Sequence, residues 1–221
     1  MGDRGVSEKV KKFRKFKKKF APLPESEVSG VMWTHPLLVN SSGYSEFASV
    51  FAGTSFGGGL YRFHHENSGV NASNWLDEAF PEFRGALAPF GFDWLGRQFA
   101  LDPSRVIAGE AQVMMLEPGT GYALEILASF SDFHDDVLVN QSDAALASSF
   151  FDEWQSVRNV IDSPLAFTEC VGYRVPLFLG GVDSVENVEV VDMDVYWALS
   201  AQLIQTTQDL PDGTPMSGVE V

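Results

Sequence analysis

The chain has 221 residues, 45% of them hydrophobic, and a formal charge of −15, a composition expected of one soluble globular domain with a sizeable core. No stretch approaches the roughly 18 consecutive apolar residues that cross a bilayer, and no apolar leader with a small-residue cleavage site follows the N-terminal charges, so neither a membrane span nor a cleaved signal is expected. The single Cys170 excludes an internal disulfide and a thiolate cluster, agrees with a reducing cytoplasm, and is expected to act as a small buried hydrophobe.

The charge is unevenly divided. Residues 1–20 hold nine Lys or Arg against Asp3 and Glu8, a net of +7, which leaves −22 on the rest. That remainder has Arg62, Arg84, Arg97, Arg105, Arg158 and Arg174 as its cations and no lysine. Such a body repels nucleic acid and attracts cations or basic proteins. Either a surface tuned to a basic partner or an organism-wide acidic style produces this pattern.

In chain order, "VSEKVKKFRKFKKKF" (residues 6–20) places Val6, Val10, Phe13, Phe16 and Phe20 three or four apart among cations, the spacing of a short basic amphipathic helix. It could touch an anionic membrane or RNA. The preferred reading packs its phenylalanines on the acidic body or leaves a solvated arm. Pro22 and Pro24 end it. "GYSEFASVFAGTSFGGG" suggests a short helix stopped by Gly53, then a turn at Gly57–Gly59 that lacks the Lys and spacing of a phosphate loop. "LYRFHH" alternates like a strand. "NASNWLDEAF" reads as a helix capped by Asn71 or Ser73 and closed before Pro81.

"PFGFDWLGRQFALD" (89–102) surrounds Arg97 with aromatic and aliphatic residues. Phe90, Phe92, Trp94, Leu95, Phe99 and Leu101 are expected in core and sheet packing, with Arg97 clasping Asp93 or a backbone carbonyl, because a buried guanidinium must be satisfied. "AQVMMLEP", "GTG" and "YALEILASF" make a β-hairpin. "SDAALASSFFDEWQSV" is the clearest helix, with Ala145, Leu146, Phe150, Trp154 and Val157 apolar. "YRVPLFLGG" reads as an extended segment ended by glycines. "DMDVYWALSAQLIQ" is a second helix with Val195, Leu199 and Leu203 on one face, followed by a loose polar tail. Hairpins between helices, without a βαβ rhythm, predict an α+β fold with a mixed, largely antiparallel sheet flanked by helices. The expected organisation is a basic tail over 1–24, one α+β domain over 25–207 and a flexible tail over 208–221.

Catalytic signatures are absent. His35, His64, His65 and His134 form no HExxH pair, and adjacent His64 and His65 point to opposite faces of a strand. Cys170 has no base near it in sequence. "SDFHDD" groups His134 with Asp132, Asp135 and Asp136, which suits a divalent cation or a basic partner, or else a helix N-terminus that favours negative side chains.

Six segments in order, "GLYRFH" (59–64), "PFGFDWLGRQFALD", "EPGTGYALEI" (117–126), "FFDEW" (150–154), "VGYRVPLFLGG" (171–181) and "DMDVYW" (192–197), resemble the C-terminal domain of the type VI secretion DNase-immunity (Tdi-type) family, a relative of the SUKH superfamily. The resemblance covers about residues 56–204. It implies a SUKH-like α+β fold and a non-enzymatic protein that binds and neutralises a cognate toxin in the cytoplasm of the cell making it. Expected alternatives are a SUKH-type scaffold or regulatory interaction module, and a metal-dependent hydrolase built on "SDFHDD". On the leading reading there are no catalytic residues, no metal and no cofactor. The partner is a basic, nuclease-like toxin, the acidic body does not bind nucleic acid directly, and Asp132, Asp135, Asp136, Asp183 and Glu186 are the candidate contacts, with Asp93, Trp94 and Arg97 a structural motif.

Overall fold

The computed structural model describes residues 13–22, 30–158 and 164–207. Val6 and Val10 of the basic stripe and the tail expected over 208–221 lie outside these residues.

The first segment is a short helix, α1 (Arg14–Lys19), which buries Phe16 and has buried Phe13 and Phe20 flanking it. Its cations stay outside. The three phenylalanines of the stripe are therefore spent inside the protein and are closed to a membrane. Next come α2 (Pro36–Val39) and α3 (Tyr44–Phe51), the latter burying Tyr44, Phe47, Ala48 and Phe51.

Six strands then form one sheet: β1 (Ser55–Phe56), β2 (Tyr61–Phe63), β3 (Ala88–Asp93), β4 (Gln98–Ile107), β5 (Glu110–Glu117) and β6 (Tyr122–Ile126). Their spatial order is their chain order, and every pairing is antiparallel. Such a meander needs only local connections, so hairpin signals in the sequence are its natural signature. Between β2 and β3 lies α4 (Glu66–Ala79). Its N-cap is His65, six residues before the Asn71 expected in that role, and Ser68 Oγ accepts the His65 N–H at 3.0 Å.

Strand β3 is buried throughout, being covered on both faces. A register shift between Pro89 and Gly91 inserts one residue. Phe90 and Phe92, two apart, would otherwise share a face; with the bulge, Phe90 joins one core and Phe92 the other. Gly91 is required here, since a Cβ would overlap the Tyr61 hydroxyl and come within 2.9 Å of the Arg62 carbonyl.

On one face of the sheet α1, α3 and the helical run over 130–140 (α5) pack an aromatic core of Phe16, Phe47, Phe63, Phe90, Phe99 and Phe130 among others. In α5 a π-helical turn, Phe133–Val137, separates the short α-helical pieces Phe130–Asp132 and Leu138–Asn140. On the other face α4 and α8 (Met193–Thr207) cover Phe92, Ala100, Met114 and Leu116. Each large side chain buried in these layers stabilises the fold by roughly 1.5–3 kcal/mol.

The helix expected over 142–157 is two helices, α6 (Ser142–Leu146) and α7 (Ser148–Arg158), because Ala147 is left-handed with φ 48°. A second antiparallel pair, β7 (Glu169–Tyr173) and β8 (Val188–Asp192), packs with Trp94, Phe151 and Trp154 into a third cluster. It is tied to the main sheet where the Val171 N–H donates to the Trp94 carbonyl at 2.7 Å. The stretch "YRVPLFLGG" leaves β7 at Tyr173 and turns through a 3-10 helix, Leu177–Leu179. The whole is an α+β fold in which helices flank antiparallel sheets.

Candidate functional site

The candidate acidic residues fall in two places. Asp132, Asp135 and Asp136 belong to α5, whose N-cap Ser129 donates its hydroxyl to Asp132 Oδ2 at 2.7 Å. Asp135 reaches the start of α1, accepting the Phe13 N–H at 3.0 Å and the Phe16 N–H at 3.4 Å. These are donors that a helix start leaves without intrahelical partners, so Asp135 fastens α1 to α5. Asp136 accepts from Asn140 Nδ2 at 2.6 Å, one turn on.

His134, between them in sequence, points the opposite way and is fully buried. Its Nδ1–H donates to the Phe130 carbonyl at 2.8 Å, which leaves Nε2 to accept the Tyr61 hydroxyl at 2.9 Å. Phe47 and Phe130 lie 4.3 and 4.4 Å from its ring. Burial pushes its pKa down to about 3, so the imidazole is neutral near pH 7. The "SDFHDD" carboxylates and histidine thus diverge, and among the described residues no group of three or more His, Cys, Asp or Glu could hold a metal ion. His64 is also buried, between Ser68 Oγ and Gln98 Oε1 at 2.9 Å each, and burial likewise lowers it to about 3. His35 caps α2 and His65 caps α4.

Asp183 and Glu186 lie in the loop that joins β7 to β8 and are exposed. Tyr173 donates its hydroxyl to Asp183 Oδ1 at 2.7 Å. Hydrogen bonds from Ser184 and from its own backbone hold Glu186 below the usual carboxylate value. Asn187 pins the loop: its side chain accepts the Val175 N–H at 3.1 Å and donates to the Val175 and Val182 carbonyls at 2.9 Å each. The result is a shallow depression of about 370 Å³ lined by Val175, Gly180, Gly181, Val182, Ser184 and Glu186. The α5 acids are not part of it.

Asp93, Trp94 and Arg97 build a buried clasp at the β3–β4 turn. Asp93 Oδ1 accepts the Leu95 and Arg97 N–H groups at 3.0 Å each, and its Oδ2 accepts Arg97 Nε at 2.6 Å. Arg97 Nη2 donates to the Ala145 carbonyl at 3.2 Å, and the Trp94 indole donates to the Leu146 carbonyl at 2.9 Å. Both acceptors are end carbonyls of α6, which a helix leaves unsatisfied. The clasp therefore joins the turn to a helix end. Burial disfavours the Arg97 cation, but Asp93 at contact and Glu117 at 4.0 Å keep its pKa above the usual value.

Arg62 has no counterpart among the sequence expectations. It is fully buried within strand β2, donates to the carbonyls of Ala166, Glu169 and Asp93, and lies 4.6 Å over the Phe92 ring. Burial pulls its pKa down to about 10. The available signal was a cation between Tyr61 and Phe63 in an alternating strand, but alternation alone puts it in solvent.

The family model described as T6SS immunity protein Tdi1, C-terminal, matches residues 147–204, which span α7, the β7–β8 pair with its loop, and α8 to Ile204. The crystal structure of Atu4351 from Agrobacterium tumefaciens is similar in fold, with a TM-score of 0.54 over 86% of this chain and 88% of that one at 17% identity. No curated protein matches.

Proposed function

We propose that this chain is an immunity protein that binds and neutralises a cognate, basic, nuclease-like toxin in the cytoplasm of the cell that makes it. The observation that carries the reading is the Tdi1 C-terminal match over residues 147–204. The charge division supports it: a body of −22 presents to a basic protein the kind of field that the toxin's own polyanionic substrate presents. Charge of this sign accelerates encounter, while buried contacts at the interface set the dissociation rate.

Inhibition works by occupation, without bond-making. The buried His64 and His134 are neutral and packed, which suits a structural role. No described helix is long and apolar enough to cross a membrane, which accords with action on a toxin in solution. Asp132, Asp135, Asp136, Asp183 and Glu186 are the proposed contacts.

Co-expression with the product of the neighbouring gene, scored for rescue of growth and complex formation, tests the proposal. Restored growth and a co-purifying complex are expected. Unrelieved toxicity with no complex contradicts it, as does purified protein that turns over a small molecule and loses that turnover on one substitution.

A further inference from the structure

We infer that the depression in the β7–β8 loop receives one Lys or Arg side chain of the partner, with its aliphatic stem against Val175 and Val182 and its cationic head at Glu186. This deepens the proposed function and rests on its reading of the partner as a basic protein.

Three features support it. The first is apolar surface in a concave place: Val175 is 46% exposed and Val182 67%, and both line the depression. Scattered exposed valines need no explanation, but two beside a carboxylate in one hollow match the two-part character of a long basic side chain. The second is charge. Glu186 lines the hollow and is exposed, so its carboxylate remains open to a partner's cation. Helix α7, which packs against the Val185–Asn187 turn, carries exposed Asp152 and Glu153. Arg174, a cation of this loop, is paired to Glu189 at 3.3 Å.

The third feature is order before binding. Besides the three Asn187 side-chain bonds, the Arg174 N–H donates to the Asn187 carbonyl at 2.8 Å and the Gly181 N–H to the Pro176 carbonyl at 3.1 Å. Gly181 permits this closure, because a Cβ there would overlap the Val175 carbonyl. A hollow whose walls are already held in place loses little entropy on binding. The α5 acids are less suited, since Asp135 is committed to the start of α1 and none of the three is part of this hollow.

The experiment measures binding of the product of the neighbouring gene to the full chain and to Glu186→Lys, Val182→Asp and Glu46→Lys. Glu46 is an exposed acid of α3, so its reversal makes the same change in net charge away from the loop. Far- and near-UV circular dichroism confirms that each variant is folded. Expected are at least about tenfold weaker binding for Glu186→Lys and Val182→Asp and a change under about twofold for Glu46→Lys. If the wild type binds and the loop variants bind equally well, or Glu46→Lys weakens binding as much, the inference is overturned and the proposed function stands. Failure of the wild type to bind overturns the proposed function, and the inference with it.

Discussion

His134 and His64 hold the strongest consequences at the scale of single residues. Both are neutral in the fold with pKa values near 3, while in the unfolded chain they return to an ordinary value near 6.5. A folded-state pKa below the unfolded one means that the unfolded chain takes up protons first, so stability is complete above about pH 6.5 and falls as pH drops towards 3. Each buried imidazole costs about 1.4 kcal/mol per pH unit in that window. Urea unfolding from pH 8 to pH 5 should show a midpoint constant above about pH 6.5 and falling below it, and His64→Gln should make the fall shallower. A wild-type midpoint unchanged down to pH 5 contradicts the neutral burial of both rings. For the clasp, Arg97→Met leaves the Asp93 carboxylate buried without its cation and should cost about 3–5 kcal/mol, whereas Asp93→Asn combined with Arg97→Met should cost less than that single change. Equal costs measured by urea unfolding would show that Arg97 matters for its packing and not for its charge. The Asp93–Arg97 pairing was legible because an isolated cation beside an acid in an apolar stretch has few other places to go. Arg62 was not, because its acceptors are carbonyls of residues 93, 166 and 169, and backbone acceptors leave no mark in a sequence.

At the scale of elements, periodicity located helices better than it oriented them. Helix α8 carries two candidate stripes, the aliphatic Val195, Leu199 and Leu203 and the mixed Tyr196, Trp197, Ser200 and Ile204. The second faces the sheet, and Val195 and Leu199 are 56% and 53% exposed. The choice was made by a distant acceptor, the Gly96 carbonyl that takes the Trp197 indole N–H at 3.0 Å, and by Trp75, whose ring stacks on Trp197. Neither is visible from within the helix. The β5–β6 hairpin was legible because its turn signal is local, whereas the break at Ala147 was not, since alanine gives no warning of a left-handed conformation. The basic helix α1 is a core element despite its charge: Phe16 is fully buried and stands edge-on to Phe47 and Phe56 at 5.2 and 5.0 Å. Phe16→Ala should cost about 3–5 kcal/mol, and Asp135→Ala, which loosens the start of the helix, about 1 kcal/mol. Denaturant unfolding checks both, and near-neutral values would mean that α1 only rests on the body.

For the whole molecule, the decisive property is the pairing of a +7 head with a −22 remainder that has no lysine. The cations of α1 face solvent while its phenylalanines are inside, so these charges are held on a body of opposite sign without neutralising most of it. The remaining field is long-ranged at low salt and screened beyond about 10 Å at 0.1 M ionic strength. That makes salt the natural probe of whether acidity serves recognition. The most direct measurement is the association rate of the full chain with the product of the neighbouring gene, followed by stopped flow from about 0.02 to 0.5 M salt. Expected is a fall in association rate of at least about tenfold, with a much smaller change in dissociation rate. An association rate indifferent to salt, or no association at any salt concentration, would contradict an anionic surface that works by capturing a basic macromolecule.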